Sequence, residues 1–250
     1  MKIRLDKALV EQRLAGSRER AQGLILAGRV MVGTQKVDKP GTPVDPAAVL
    51  RVLGEDLKFV SRGGLKLERA LDYWGIGLAG RECLDVGAST GGFTDCMLQR
   101  GAVSVLAIDT GYGQIAHKLR VDKRVKLMER CNARLLKTGE LAGAGEIAFL
   151  AMDVSFISAT LVLPAVLGAL APEGFIWIGE VVVLIKPQFE AGREHVGKGG
   201  IVREQAAREI AIERVTACVK ALGGTGVEVI DSPITGMEGN HEYLLHTRFE

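Results

Sequence analysis

A chain of 250 residues, 47% apolar and 25% charged, has the composition of a folded globular protein, which excludes an intrinsically disordered chain. That length accommodates a small domain plus a medium one, each with its own core. The formal charge of +2 neither demands nor excludes a nucleic-acid partner, so the distribution of the cations must decide it.

The N-terminus, Met1-Lys2-Ile3-Arg4-Leu5-Asp6, is charged and has neither the apolar stretch nor the small-residue cleavage site of a secretory leader. It predicts a cytoplasmic protein. Apolar residues then recur at helical spacing, first at Leu5, Ala8 and Leu9 and again at Ala21, Leu24 and Ile25, which predicts two short helices. Ser17 stands where its hydroxyl can cap the second helix, and Gly28 ends it. Val30-Met31-Val32 and the stretch 49–53, separated by a turn region with Lys39-Pro40-Gly41, read as short strands. Gly54-Glu55-Asp56 is the natural joint, dividing the chain into domains 1–56 and 57–250.

From Leu78 onward strands alternate with helices, which predicts an α/β domain with a mostly parallel, doubly wound sheet. The strands fall at 82–86, 103–109, 125–129, 147–152, 175–185, 227–230 and 243–249. Ser232-Pro233 and Gly239-Asn240 break the last two apart, so an antiparallel pair is expected to close one sheet edge. The longest apolar run, 175–185, contains Glu180 and falls well short of the ~20 residues a helix needs to cross a bilayer. Cys83, Cys96, Cys131 and Cys218 form no CxxC pair, so neither a metal site nor a disulfide framework is expected.

The strongest motif is Leu84-Asp85-Val86-Gly87-Ala88-Ser89-Thr90-Gly91-Gly92-Phe93, an apolar strand entering a glycine-rich turn and then a helix. Glycines let such a backbone turn tightly and approach a ligand, with the first helical amides facing it. About twenty residues on, a second strand ends in Asp109, where a carboxylate accepts from the ribose hydroxyls of a nucleoside cofactor. The spacing differs from Gly-x-Gly-x-x-Gly and no Walker lysine follows, which disfavours dinucleotides and triphosphates and points to S-adenosylmethionine. Asn132, after the third strand, either reaches the adenine or merely turns the chain.

Three further blocks complete a pattern: Met152-Asp153-Val154-Ser155-Phe156-Ile157-Ser158, Ile185-Lys186-Pro187-Gln188-Phe189-Glu190, and Gly239-Asn240-His241-Glu242-Tyr243. With Phe59-Val60-Ser61-Arg62-Gly63-Gly64-Leu65-Lys66-Leu67, and with Arg4-Leu5-Asp6-Lys7-Ala8-Leu9, Ser17-Arg18-Glu19-Arg20-Ala21 and Gly28-Arg29-Val30 in front, the chain resembles the TlyA, or hemolysin A-like, family over nearly its whole length. The catalytic half of that family is similar to the FtsJ group of RNA ribose 2'-O-methyltransferases, and the front segment is similar to an S4-type RNA-binding domain. The resemblance implies a class I, Rossmann-like methyltransferase domain behind a small α+β domain. It also implies S-adenosylmethionine as cofactor, ribosomal RNA or ribosomal subunits as partner, cytidine as the usual target base, and a Lys-Asp-Lys-Glu tetrad at Lys66, Asp153, Lys186 and Glu242. Two departures stand out. Thr90 replaces the proline of the FtsJ group, as in the TlyA form, and Gly179-Glu180-Val181-Val182 lengthens the strand before Lys186.

For methyl transfer to a ribose hydroxyl, Lys186 is expected to contact the 2'-hydroxyl, with Asp153 orienting it near the methyl donor and Lys66 and Glu242 completing the pocket. Lys66 beside Lys186 would disfavour the charged form of both. Singly, each is the kind of residue that usually faces solvent. The cofactor would be held by Asp85, Gly87 to Phe93, Asp109, Asn132 and Asp153. RNA contact is expected from Arg4, Lys7, Arg18, Arg20, Arg29 and Arg62, although Asp6, Glu11 and Glu19 are interspersed as on an ordinary charged helix face. The stretch 192–200, rich in glycine and cations, is either a loop near the RNA or a solvated linker. No metal or DNA partner is expected. The rivals are a non-catalytic RNA-binding assembly factor, a membrane-lytic protein as the hemolysin name suggests, and a methyltransferase for small molecules or proteins.

Overall fold

The computed structural model describes residues 2–53, 58–143, 145–236 and 239–250, and the chain divides into two units, 1–56 and 57–250. The expected joint, Gly54-Glu55-Asp56, lies outside the described residues.

The first unit runs β1 (Ile3–Arg4), α1 (Leu5–Glu11), α2 (Arg18–Leu26), β2 (Val30–Val32), β3 (Gln35–Val37), β4 (Pro43–Val44) and β5 (Leu50–Val52). Its core joins the apolar faces of both helices, Leu5, Ala8 and Leu9 with Ala21, Leu24 and Ile25, to Val30, Val44 and Leu50. Ser17 accepts from the Arg20 amide at 3.2 Å, and Gly28 takes φ +63°, the left-handed step that ends a helix at low cost. β2 pairs antiparallel with both β3 and β5, and β1 pairs with β4. The sequence reading missed β1, β3 and β4, which are only two or three residues long and too short for alternation to register.

The second unit contains α3 (Gly63–Trp74), β6 (Glu82–Val86), α4 (Gly92–Gln99), β7 (Ser104–Ile108), α5 (His117–Arg120), β8 (Val125–Met128), β9 (Ile147–Met152), α6 (Ala159–Leu170), β10 (Gly179–Ile185), α7 (Pro187–Glu190), α8 (Gln205–Ala221), β11 (Thr225–Asp231) and β12 (Tyr243–Phe249), with short 3-10 turns at Ala133–Leu135 and Arg193–His195. The sheet order is β11-β12-β10-β9-β6-β7-β8. Alternate strand residues face two apolar layers. Leu84, Val86, Leu150, Met152, Val183 and Ile185 pack with α6 and α8, whereas Cys83, Val105, Phe149, Val182 and Leu184 pack with α3 and α4.

The chain winds outward from β6 through β7 to β8, then returns to the other side of β6 as β9. Ligands of such sheets bind at this switch point, outside the carboxyl ends of the strands.

As expected, an antiparallel pair closes one sheet edge: the edge strand β11 runs antiparallel to β12, which itself runs antiparallel to β10. One expectation needs correction. The strand expected at 175–185 begins only at Gly179. Trp177 is buried, its indole donates to the Ile147 carbonyl at 2.7 Å, and a Cβ on Gly179 would lie 2.4 Å from its ring. That anchor holds the preceding segment off the ladder and leaves Phe175, Ile176 and Ile178 exposed. No helix among the described residues is long and apolar enough to cross a membrane.

Candidate active site

The turn after β6 owes its course to left-handed backbone at Gly87 (φ +88°), Ser89 (φ +48°) and Gly91 (φ +95°), a region that side chains other than glycine rarely adopt. Gly87 also tolerates nothing larger, because a Cβ there would stand 2.4 Å from the Asp153 carbonyl oxygen. The Asp153 amide donates to the Val86 carbonyl at 2.9 Å, so the turn and the end of β9 are locked side by side. Gly92 brings the start of α4 against the start of α3, where a Cβ would meet the Ser61 hydroxyl at 2.3 Å and the Gly64 amide nitrogen at 2.9 Å.

Three carboxylates converge behind this turn. Asp109 accepts from the Ser89 amide at 2.7 Å and the Gly111 amide at 2.6 Å. Asp85 is fully buried, and its Oδ2 accepts from the Thr94 amide at 2.8 Å and the Thr94 hydroxyl at 2.6 Å. Its Oδ1 has no partner. Burial first, then the nearby Asp153 and Asp109, pushes the Asp85 carboxyl up to about 7.

Beside the turn stand two lysine–carboxylate pairs. Lys66, on the buried face of α3, forms an ion pair with Glu242. Lys186, just past β10, pairs with Asp153 at 2.5 Å and donates to the Ser155 hydroxyl at 2.7 Å. Ile185 is matched with Tyr243 across the β10–β12 ladder, and Lys186 and Glu242 directly adjoin that match. Each lysine thus has a carboxylate partner, Glu242 for Lys66 and Asp153 for Lys186. All four residues belong to the crevice at the switch point, with Lys66, Lys186 and Glu242 less than a tenth exposed.

A buried carboxylate braces the two loops of this crevice. Glu190, in α7, accepts from the Ser158 hydroxyl at 2.5 Å and the Ala159 amide at 2.7 Å, tying the segment after Lys186 to the segment after Asp153. Burial raises its pKa from the ordinary value. At the rim, Phe156 is 93% exposed, holds φ +64° and leans on Phe189 with ring centres 5.5 Å apart. The sequence reading assigned no role to Ser155, Phe156 or Glu190. They lie inside quoted motif blocks, but no spacing rule marks an exposed aromatic as a site.

Several expected residues sit elsewhere than at an open crevice. The Phe93 side chain is buried in the core with Phe59 and Met97, and Asp85 faces inward to Thr94. Asn132 accepts from the Arg134 amide at 3.2 Å, turning the chain. Ala88 is buried and Thr90 exposed within the turn. Among the expected RNA contacts, Arg4 and Arg18 gather on Asp6 at 2.9 and 3.2 Å, and Lys7 lies 3.5 Å from Glu11. Arg29 donates from Nε to the Leu53 carbonyl. The Arg20 backbone amide donates to the capping Ser17 hydroxyl. Arg62 is exposed immediately before α3. In the stretch 192–200, the Asn240 amide donates to the Gly200 carbonyl at 2.8 Å and its oxygen accepts from the Val202 amide at 2.9 Å, so this segment is clamped beside Glu242.

The FtsJ-like methyltransferase family matches residues 59–249, and the S4 domain matches residues 3–50. The 16S/23S rRNA (cytidine-2'-O)-methyltransferase TlyA of Mycobacterium tuberculosis is 44% identical, over 99% of this chain and 90% of that one. Hemolysin A of Brachyspira hyodysenteriae is 41% identical, over 98% of this chain and 99% of that one. A solved structure from Streptococcus thermophilus that carries the hemolysin name superposes with a TM-score of 0.74 at 43% identity, covering 99% of this chain and 88% of that one. The chain belongs to the FtsJ-like methyltransferase family, in the S4-bearing branch represented by the TlyA and hemolysin A proteins.

Proposed function

We propose that this protein transfers the methyl group of S-adenosylmethionine to the ribose 2'-hydroxyl of a cytidine in ribosomal RNA. The observation that carries the reading is the pairing of Lys186 with Asp153 directly beside the Gly87 turn, in a chain 44% identical to an rRNA cytidine-2'-O-methyltransferase.

The residues at the turn suit a sulfonium nucleoside. Asp109 and Asp153 lie close enough to Asp85 to oppose its ionisation, and Asp85 Oδ1 is unpartnered. A surplus of carboxylate favours a cation and disfavours the pyrophosphate of a dinucleotide. When bound, S-adenosylmethionine supplies an electrophilic methyl group. Asp109 would hold the ribose hydroxyls, and the backbone of residues 87–92 would line the cofactor.

Lys186 would approach the 2'-oxygen, oriented by Asp153 and Ser155, and stabilise the negative charge that grows there as the hydroxyl proton passes to solvent water. Lys66 and Glu242 would fix the far wall. Phe156 offers an exposed ring on which the target base stacks, as single-stranded RNA bases commonly do on aromatic side chains. The S4 unit would hold RNA through Arg4, Lys7, Arg18, Arg20 and Arg29, with Arg62 at the start of the catalytic unit. Ribosomal RNA or ribosomal subunits are the partner, and a ribosomal substrate makes the cytoplasm its workplace.

Incubation of ribosomal subunits with labelled S-adenosylmethionine, followed by mapping of alkali-resistant linkages, tests the proposal. Label at a cytidine 2'-oxygen is expected, and label on a base or on protein would overturn it. Release of dye from liposomes by the purified protein would favour the lytic reading of the hemolysin name instead.

A further inference from the structure

We infer that Asp6 is a positioning residue of the S4 unit, a buried carboxylate that presents Arg4 and Arg18 to an RNA backbone as one preset pair. This rests on the reading that these two arginines contact RNA.

Asp6 lies in the first turn of α1 and has no exposed surface. Its Oδ1 accepts from Arg4 Nε at 3.0 Å and from the Lys7 amide at 3.0 Å. Its Oδ2 accepts from Arg4 Nη2 at 2.9 Å, Arg18 Nε at 3.2 Å and Gln22 Nε2 at 2.9 Å. One carboxylate therefore joins β1, α1 and α2. The Arg4 fork is bidentate, the geometry that fixes a guanidinium plane as well as its place.

Arg4 is held from a second side. A Cβ on Gly41 would come within 3.2 Å of its Nη1, so the turn carrying Gly41 packs closely against the guanidinium. The Asp6 amide donates to the Pro40 carbonyl of the same turn at 3.1 Å.

The charge count points outward. A buried carboxylate needs one cation for neutrality, yet Asp6 gathers two, and their side chains stay 51% and 55% exposed. Arg18 reaches Asp6 through Nε, while its side chain as a whole stays more than half exposed. The cluster is a net cation, held rigid from beneath with donors open above, suited to consecutive phosphates.

The test turns on a sign. Asp6→Asn removes one negative charge, so electrostatics alone predict tighter binding to RNA. Loss of positioning predicts the opposite, a weakening of about tenfold, because two long side chains must then be ordered on binding. Affinity of the full chain for purified 16S and 23S ribosomal RNA would be measured between 50 and 200 mM salt (~0.05–0.2 M, where phosphate contacts are salt-sensitive) for wild type, D6N, R4Q/R18Q and the triple variant.

The expected results are a shallower salt slope for R4Q/R18Q, weaker binding by D6N with its slope preserved, and no further weakening in the triple variant. D6N should raise KM for RNA and leave kcat unchanged. D6N binding as tightly as wild type overturns the inference, as does an equal loss from D6N in both backgrounds, which would mark general damage to the fold. Wild-type binding by R4Q/R18Q would overturn the underlying RNA-contact reading instead.

Discussion

Replacing Asp85 by Asn isolates the energetic consequence of the acid buried behind the cofactor turn. Asn keeps an oxygen to accept from the Thr94 amide and hydroxyl, and its amide group takes the place of the unpartnered Oδ1. In the wild type the carboxyl is pushed up from 3.8 to about 7, by burial above all. Between those values the folded protein holds a proton that the unfolded chain has released. Its contribution to stability is therefore complete below about pH 4 and declines as pH rises, reaching its floor above about pH 7. At about 1.4 kcal/mol per pKa unit, wild type should lose about 2–3 kcal/mol relative to Asp85→Asn between pH 5 and pH 8. Urea unfolding of both proteins across that range measures the difference directly. A difference that stays flat with pH, or an Asn variant that loses ground as pH rises, would refute the reasoning.

Two further outcomes follow from geometry. Gly87→Ala would introduce a Cβ 2.4 Å from the Asp153 carbonyl at φ +88°, which costs roughly 1–2 kcal/mol for the left-handed backbone alone and displaces the end of β9. Calorimetric titration with S-adenosylhomocysteine should show affinity reduced at least tenfold (~1.4 kcal/mol), and unchanged affinity would deny the turn its role. Phe156→Ala removes a ring that is 93% exposed, so thermal stability should stay within about 0.5 kcal/mol. Methyl transfer to rRNA should fall about tenfold or more if that ring holds a base, since stacking contributes about 1–3 kcal/mol per base. Equal rates for the two proteins would remove Phe156 from the site.

How much of this was readable in the chain depends on the length of the signal. Strands β6, β9 and β12 were expected at the residues where they occur, because β6 and β9 are apolar runs bounded by turn formers and β12 follows the Gly239-Asn240 break. The stretch 175–185 misled because Phe175, Ile176 and Ile178 look like strand residues, whereas Trp177 burial decides the local path. No local pattern states that an indole will fold under its own chain.

At the site, residue types were recognisable from the motif blocks, but their partners were not. The Lys66–Glu242 pair spans 176 positions, and it is the β10–β12 ladder that brings the backbone at residue 242 next to that at Lys186. The inward turn of Asp85 and Phe93 was likewise hidden, since a strand end and a helix start read alike whichever way their side chains face. In the first unit, Asp6 looked like one acid interspersed among cations. Its burial beneath two arginines depends on how α1 and α2 pack, which spacing alone does not reveal.

Single-turnover methyl transfer from labelled S-adenosylmethionine to ribosomal subunits by Lys186→Ala, with cofactor affinity measured in parallel, tests the catalytic assignment most directly. Transfer should fall by at least a hundredfold (~10²–10⁴ for a residue acting on the reacting proton) with cofactor binding retained. Transfer at the wild-type rate would contradict the role given to the Lys186–Asp153 pair.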